Sequence, residues 1–251
     1  MKKHVEILRR FSDYDDTISP LSYFYSMPND IEFDALRNSL NFALDKKTEL
    51  EVAHVLLNYV FNSLLPGNDD YPKLKDKCNS LYILNNTKKH GIKSNCYMYC
   101  VVLTELLLCY GIKSRLIVCR PADFHLNTGC HCMVHAYMKQ LGKWIALDPA
   151  NCASFRNNKG EFISISEIRR NIIEDKRYYV FCSDLRNSEV LKNYLPYYLF
   201  AFFSLRNNGF NFFASSTPNQ VCSLFPLQFK KHIGIIPNVD ITFNEISFWT
   251  N

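Results

Sequence analysis

The sequence predicts an α+β fold in which a buried helix packs on an antiparallel β-sheet. Three consecutive patterns indicate this class. Residues 96 to 110 are apolar nearly all round over the length of a helix, and residues 112 to 120 form a short β-branched run closed by Pro121. Two further strand-length runs, 133 to 139 and 144 to 148, are separated by a short polar turn. Because a helix that is apolar on all sides must be buried, we expect it to pack against the sheet that these strands form.

Length and composition favour a globular protein with one large domain. The chain has 251 residues, of which 47% are hydrophobic and 21% are charged, as is usual for folded domains that bury their own core. We expect an N-terminal leader or helical extension over 1–47, a central core over 48–155, and an aromatic-rich extension of the same domain over 156–251.

Two helix starts carry recognisable capping residues. Thr48 followed by Glu51 is typical of a capping box, and apolar residues then recur at helical spacing up to Pro66. Ser94 and Asn95 are suited to cap the start of the helix that begins at Cys96, and Gly111 is suited to end it. We therefore expect two well-defined helices on either side of a long polar connection, residues 67 to 93, that contains one short element.

Charge and hydropathy argue against nucleic acid and membrane partners. The net charge is +5, and basic and acidic residues are mixed along the chain, whereas nucleic-acid binding requires a concentrated basic patch. No apolar run of signal-peptide length follows the N-terminus, and the most apolar stretch, 194 to 205, is too short to span a bilayer. We expect a cytoplasmic protein whose ten cysteines are reduced thiols without a cofactor.

Cys96 is a candidate nucleophile because of its position at the start of the buried helix. A thiol attacks carbonyl carbon only as thiolate, and both a helix N-terminus and a neighbouring histidine stabilise that charge. A single cysteine ahead of a buried helix is more often a packing residue, so Cys96 requires a partner before it indicates chemistry.

The hairpin supplies candidate partners. With a two-residue turn at Leu141-Gly142, His135 lies directly opposite Asp148, close enough for the carboxylate to accept a hydrogen bond from the imidazole. The apolar residues Val134, Ala136, Met138, Ile145 and Leu147 then occupy the other face. This alternation leaves His135 and Asp148 on the side expected to meet the Cys96 helix, although a structural His–Asp pair has the same local pattern.

These residues together resemble the transglutaminase-like domain, a relative of the papain-like enzymes, over about residues 48 to 155. The resemblance rests on Cys96 opening an apolar helix, followed by Gly-Ile-Lys-Ser-Arg at 111–115, His-Ala-Tyr at 135–137 and Lys-Trp-Ile-Ala-Leu-Asp-Pro at 143–149. It implies that Cys96 attacks an amide or thioester carbonyl, His135 transfers the proton and Asp148 orients the histidine. Ser94 stands where the family usually has glycine, and Tyr137 where it usually has tryptophan.

The implied function is acyl transfer through a thioester, with a peptide, protein or acyl carrier as substrate. We favour hydrolysis slightly over transamidation or amide synthesis, because the chain lacks room for the extra domains that position an amine in large cross-linking enzymes. The oxyanion of the intermediate also needs donors. The backbone N–H of Cys96 is the first, and Asn58, Tyr59 and Asn62 are unassigned candidates for the second.

Two other classes of function stay open at this point. One is a binding module that keeps the fold without turnover. The other is a zinc-stabilised protein, because Cys130, His131 and Cys132 lie close in sequence to further zinc-type ligands, His125, His135 and Cys152. The Cys-x-Cys spacing lacks a matching second pair of ligands, so we expect no metal site.

Overall fold

The computed structural model describes residues 2–15, 21–40, 44, 47–69, 79–182, 185–209, 221–233, 236 and 238–250. Within these ranges the helices are α1 (Lys2–Arg10), α2 (Glu32–Asn38), α3 (Glu49–Ser63), α4 (Ser80–His90), α5 (Cys96–Cys109), α6 (Ile165–Ile173), α7 (Leu185–Tyr198) and α8 (Glu245–Trp249). Every described helix is too short or too polar to cross a lipid bilayer.

The strands are β1 (Phe24–Tyr25), β2 (Leu65–Pro66), β3 (Lys93–Ser94), β4 (Ser114–Arg120), β5 (His131–Met138), β6 (Lys143–Asp148), β7 (Ala153–Asn157), β8 (Tyr178–Phe181), β9 (Ala201–Leu205), β10 (Asn207–Asn208), β11 (Val221–Leu224) and β12 (Val239–Thr242). Eight of them form one sheet in the order β12-β11-β9-β4-β5-β6-β7-β8. All its pairs are antiparallel except β11 with β12. The predicted α+β class is confirmed.

The C-terminal third extends the central sheet on both sides. Strand β8 pairs with β7 at one edge, and β9 pairs with β4 at the other. The apolar stretch 194 to 205 forms the end of α7 and the whole of β9, and Leu195, Leu199 and Phe202 are almost fully buried. It is therefore part of the core.

The sheet separates two hydrophobic layers. On one face, α3 and α5 share a core with Val134, Ala136, Ile145 and Leu147. On the other face, residues of α6, α7 and α8 share a core with Met133 and Ala146. Because side chains alternate along a strand, odd-numbered residues of β5 and even-numbered residues of β6 face away from α5.

The predicted helix caps are confirmed. Thr48 and Glu51 form the capping box of α3, and the side chain of Asn95 accepts a hydrogen bond from the backbone N–H of Met98 at the start of α5. Gly111 follows α5 with φ of 76°, a left-handed conformation that side chains other than glycine adopt at a cost. The connection 67 to 93 differs from expectation, because it contains α4, a helix of 11 residues capped by Asn79.

The hairpin between β5 and β6 has a longer turn than predicted. The last pair is Met138 with Lys143, so four residues form the loop: a 3-10 turn over Lys139–Leu141 and then Gly142 with φ of 62°. The register consequently shifts by two residues from the predicted one. His135 lies opposite Ala146, and the prediction that it lies opposite Asp148 is wrong.

Candidate active site

Cys96 is the first residue of α5 and is half-buried. Asn95 satisfies the N–H of Met98, and its amide nitrogen donates to the side chain of Asn68 at 3.0 Å. The first N–H groups of a helix have no partner within the helix. The start of α5 is therefore held in place while the backbone at Cys96 keeps donor capacity beside the sulfur.

Asp148 ends β6 and is fully buried. One carboxylate oxygen, Oδ2, lies 2.7 Å from Nε2 of His131, and the same oxygen accepts from the side-chain amide of Asn151 at 3.0 Å. The other oxygen accepts from the backbone N–H of Asn151 at 3.2 Å. This set of donors fixes the carboxylate and directs it at His131.

His131, not His135, is the histidine that Asp148 binds. Continuing the register by one residue sets Asp148 opposite Met133, so both histidines are diagonal neighbours of Asp148 on one face. The two diagonals are not equivalent, because adjacent strands twist relative to one another. His131, the first residue of β5, reaches the carboxylate, whereas no hydrogen-bond partner reaches the ring of His135.

His135 lies in the layer opposite α5, and its predicted approach to the Cys96 helix is wrong. His131, at the start of the same strand, is the histidine that interacts with Cys96. The ring of His135 stacks on Trp144 at 4.7 Å and meets Trp249 edge-on at 5.1 Å. Directly across the ladder on β4 is Arg115. Burial and the charge of Arg115 hold the pKa of His135 well below its usual value. A neutral imidazole walled off by indole rings is unsuited to exchange protons with Cys96.

The electrostatics around Cys96 favour an ion pair. Interaction with the Cys132 side chain and then with His131 lowers the pKa of Cys96 to about 5, against the opposing effect of burial. Burial would lower the pKa of His131, but the Asp148 carboxylate and Cys96 raise it to about 10. At neutral pH, the lowered pKa of Cys96 and the raised pKa of His131 favour a thiolate beside an imidazolium. The Nε2 atom of that imidazolium is bound to Asp148.

The cysteines near this pair interact with one another. Cys132 is fully buried, whereas Cys130 is partly exposed. Interaction with Cys132 lowers the pKa of Cys130 to about 7. Among the described residues, no group of three or more His, Cys, Asp or Glu side chains is arranged to hold a metal ion, and the described cysteines are free thiols. His131, the central residue of the Cys130-His131-Cys132 cluster, binds Asp148.

Tyrosines of α7 cover the outer edge of His131. The ring of Tyr194 meets His131 edge-on with centroids 5.2 Å apart, and Tyr198 lies 6.4 Å away. The adjoining loop is tied down by Arg120, which donates to the carbonyls of Phe124 and Thr128. The tyrosines therefore hold the ring of His131, and Arg120 holds the loop that precedes it.

Sequence reasoning missed three residues of this arrangement: His131, Tyr194 and Asn151. His131 has the same strand parity as His135, so the alternation pattern could have identified both. Asn151 is three residues after Asp148, a separation at which an Asp side chain commonly binds the backbone of a turn. Nothing in the linear sequence relates Tyr194 to β5.

The candidate oxyanion donors on α3 have other partners. The amide of Asn58 donates to the carbonyl of His54, its oxygen accepts from the thiol of Cys152 at 3.3 Å, and the amide of Asn62 donates to the carbonyl of Asn58. Tyr59 lines a separate depression with Leu81 and Leu84. The backbone N–H of Cys96 is left as the candidate with supporting geometry.

Comparison with known proteins gives one match. No curated protein and no solved structure matches the chain. One family model matches the part of the chain that contains α3, α5 and strands β4 to β6. Cys96, His131 and Asp148 all lie within this part. Residues 39–149 match the model of the transglutaminase-like superfamily, the family that the sequence motifs resemble.

Proposed function

We propose that the protein is a cysteine-dependent acyl-transfer enzyme with Cys96 as nucleophile, His131 as general acid and base, and Asp148 as the residue that orients the histidine. The observation that carries the proposal is the buried 2.7 Å contact between His131 Nε2 and Asp148, on a histidine that also interacts with Cys96. Asp148 occupies Nε2, so Nδ1 is the ring nitrogen that exchanges a proton with the sulfur.

The chemistry follows from this pairing. The Cys96 thiolate attacks an acyl carbon, and the backbone N–H of Cys96 stabilises the oxyanion. The bond to the leaving group breaks as His131 donates its proton to that group, which leaves a thioester on Cys96. Water or an amine then attacks the thioester, His131 accepts a proton from it, and the Cys96 thiolate departs.

For the acyl acceptor, hydrolysis is the favoured outcome and transamidation or amide synthesis the alternative. Cys96 is only half-buried, so water has access to the thioester unless bound substrate excludes it. We propose a peptide or protein amide as donor, and a reducing compartment such as the cytoplasm, because the mechanism requires Cys96 as free thiolate.

Selective alkylation at pH 6 tests the nucleophile and its base together. The protein is treated briefly with low-dose iodoacetamide, and the labelled cysteines are identified by peptide mapping. Cys96 should be labelled ahead of the other cysteines, because its pKa of about 5 is lower than the pKa of about 7 of Cys130, so more of it is thiolate at pH 6. His131→Gln should slow labelling at Cys96 by at least about tenfold, because the thiolate loses its cationic partner.

His125→Gln is the matched control, because His125 is an exposed histidine of the neighbouring loop. It should leave labelling at Cys96 unchanged. Preferential labelling of another cysteine in folded protein, or full reactivity of Cys96 in His131→Gln, would overturn the assignment. Normal labelling without turnover on any acyl donor would favour the non-catalytic binding module.

A competition between acceptors tests the preference for hydrolysis. The protein is incubated with a mixed peptide digest and a primary-amine probe at millimolar concentration, and both product classes are followed by mass spectrometry. We expect hydrolysed peptides to exceed amine adducts, and both to vanish in Cys96→Ala. Dominant amine adduct with the same dependence on Cys96 would replace hydrolysis by transamidation and leave the thioester mechanism in place.

A further inference from the structure

A pocket lies at the end of β5 away from His131, on the face of the sheet opposite α5. It has a volume of about 470 Å³, and its lining includes His135, Tyr137, Trp144 and Trp249. His135 is four positions after His131 along the strand, a distance of about 13 Å. The pocket is thus separate from the Cys96 site, and the proposed function assigns it no role.

The floor of the pocket contains polar groups that the fold leaves unsatisfied. His135 is 1% exposed, and neither ring nitrogen has a hydrogen-bond partner. Behind it, the fully buried Arg115 donates to the carbonyl of Phe248 at 2.7 Å, but its Nε and Nη1 atoms have no partner. Leaving such groups unpaired costs free energy, and buried examples in folded proteins call for a specific reason.

The charges around the floor favour an anion. Among the described residues, no carboxylate forms a salt bridge with Arg115, whose guanidinium instead lies over the rings of Tyr23 at 4.1 Å and Trp144 at 5.1 Å. At the rim, Lys143 and Glu167 form a salt bridge of 2.8 Å, so their charges cancel. The local sum is one uncompensated positive charge beneath aromatic walls, in a medium that screens it weakly.

We propose that this pocket binds a small aromatic carboxylate, with the ring of the ligand against the indoles of Trp144 and Trp249 and its carboxylate directed at His135 and Arg115. Aromatic walls with few convergent polar groups are the usual make-up of small-molecule sites, and the volume is within their range. Trp249, on the short helix α8, lines the pocket and meets the ring of His135, so binding requires its indole to turn aside before the carboxylate reaches the imidazole N–H.

Intrinsic fluorescence provides a direct assay, because the two tryptophans of the chain both line this pocket. The probes are 3-phenylpropanoate and its primary amide, which differ in charge but hardly in shape. The carboxylate should produce a saturable change in tryptophan emission, and the amide should bind at least about tenfold more weakly, because it lacks the charge that Arg115 attracts.

Two variants test the location. His135→Phe keeps an aromatic ring and removes the imidazole, and should weaken binding of 3-phenylpropanoate at least about tenfold. Ser166→Phe places a ring at the mouth of the pocket on α6 and should abolish binding, which decides the question if His135→Phe does not fold. Equal binding of acid and amide, no saturable change up to about 10 mM in folded protein, or unaltered binding to folded variants would overturn the proposal.

Discussion

The two histidines of β5 occupy the same face of the same strand, yet their surroundings give them opposite properties. His131 faces a carboxylate and a thiol, and its pKa is raised to about 10. His135 faces Arg115 and two indoles, and its pKa is held well below the usual value. Strand position decides that both are buried, and the charge of the nearest partner decides which one can carry a proton near Cys96.

The largest effect is expected from replacing Asp148, the carboxylate that binds His131. Asp148→Asn should lower the rate of 4-nitrophenyl acetate hydrolysis by about 10²–10⁴-fold without loss of the fold, because the amide no longer stabilises the imidazolium or fixes its tautomer. The measurement is steady-state turnover together with circular dichroism. Full activity in a folded Asp148→Asn protein would mean that another group orients His131.

The second prediction concerns the pH dependence of alkylation at the same end. Because the pKa of Cys96 is lowered to about 5, its labelling rate should be nearly constant from pH 6 to 8 and fall about tenfold per pH unit below 5. Labelling of Cys130 should instead rise through pH 7. Rates from mass spectrometry at several pH values distinguish the two profiles, and a Cys96 profile rising through pH 8 to 9 would exclude the ion pair.

The third prediction addresses the His135 end through stability. The folded pKa of His135 is below the unfolded value, so the unfolded chain binds the extra proton and wild-type stability is lost as the pH falls below about 6.5. His135→Phe removes this loss. As the pH falls below about 6.5, the free energy of unfolding of His135→Phe should rise relative to that of wild type by up to about 1.4 kcal/mol per pH unit. Urea denaturation at pH 7 and pH 5 measures the difference.

A constant difference between His135→Phe and wild type across that range would show that His135 titrates normally. The comparison between the two ends of β5 would then lose its electrostatic basis. The matched substitution at the other end is unsuitable as a control, because His131 and Cys96 titrate as a coupled pair.

The smallest effect is expected at the cap that positions Cys96. Asn95→Ala removes the acceptor for the N–H of Met98 and should lower the free energy of unfolding by about 0.5–2 kcal/mol. Asn95→Ser, which keeps a capping oxygen, should retain most of the stability. Thermal denaturation of the three proteins checks the ranking, and equal loss in both variants would assign the effect to the contact of Asn95 with Asn68.

Local sequence patterns determined α3 and α5, the faces of β5 and β6, and two members of the proposed triad. The capping residues Thr48 and Asn95 act within three residues of themselves, and the alternation in β5 and β6 follows from the geometry of a single strand. Cys96 is singled out by its place at the start of α5, and Asp148 by the alternation in the hairpin and the family resemblance, although the predicted pairing of Asp148 with His135 is wrong. These inferences needed no information about distant contacts.

The choice between His131 and His135 depended on tertiary structure. It required the length of the turn at 139–142, the twist of the sheet and the identity of the groups brought in from β4, α7 and α8. None of these is encoded within the reach of a local pattern, because both histidines obey the same alternation. Arg115 and Trp249 are 20 and 114 residues away from His135 in the sequence, and only the packing of the sheet and of α8 sets them beside its ring.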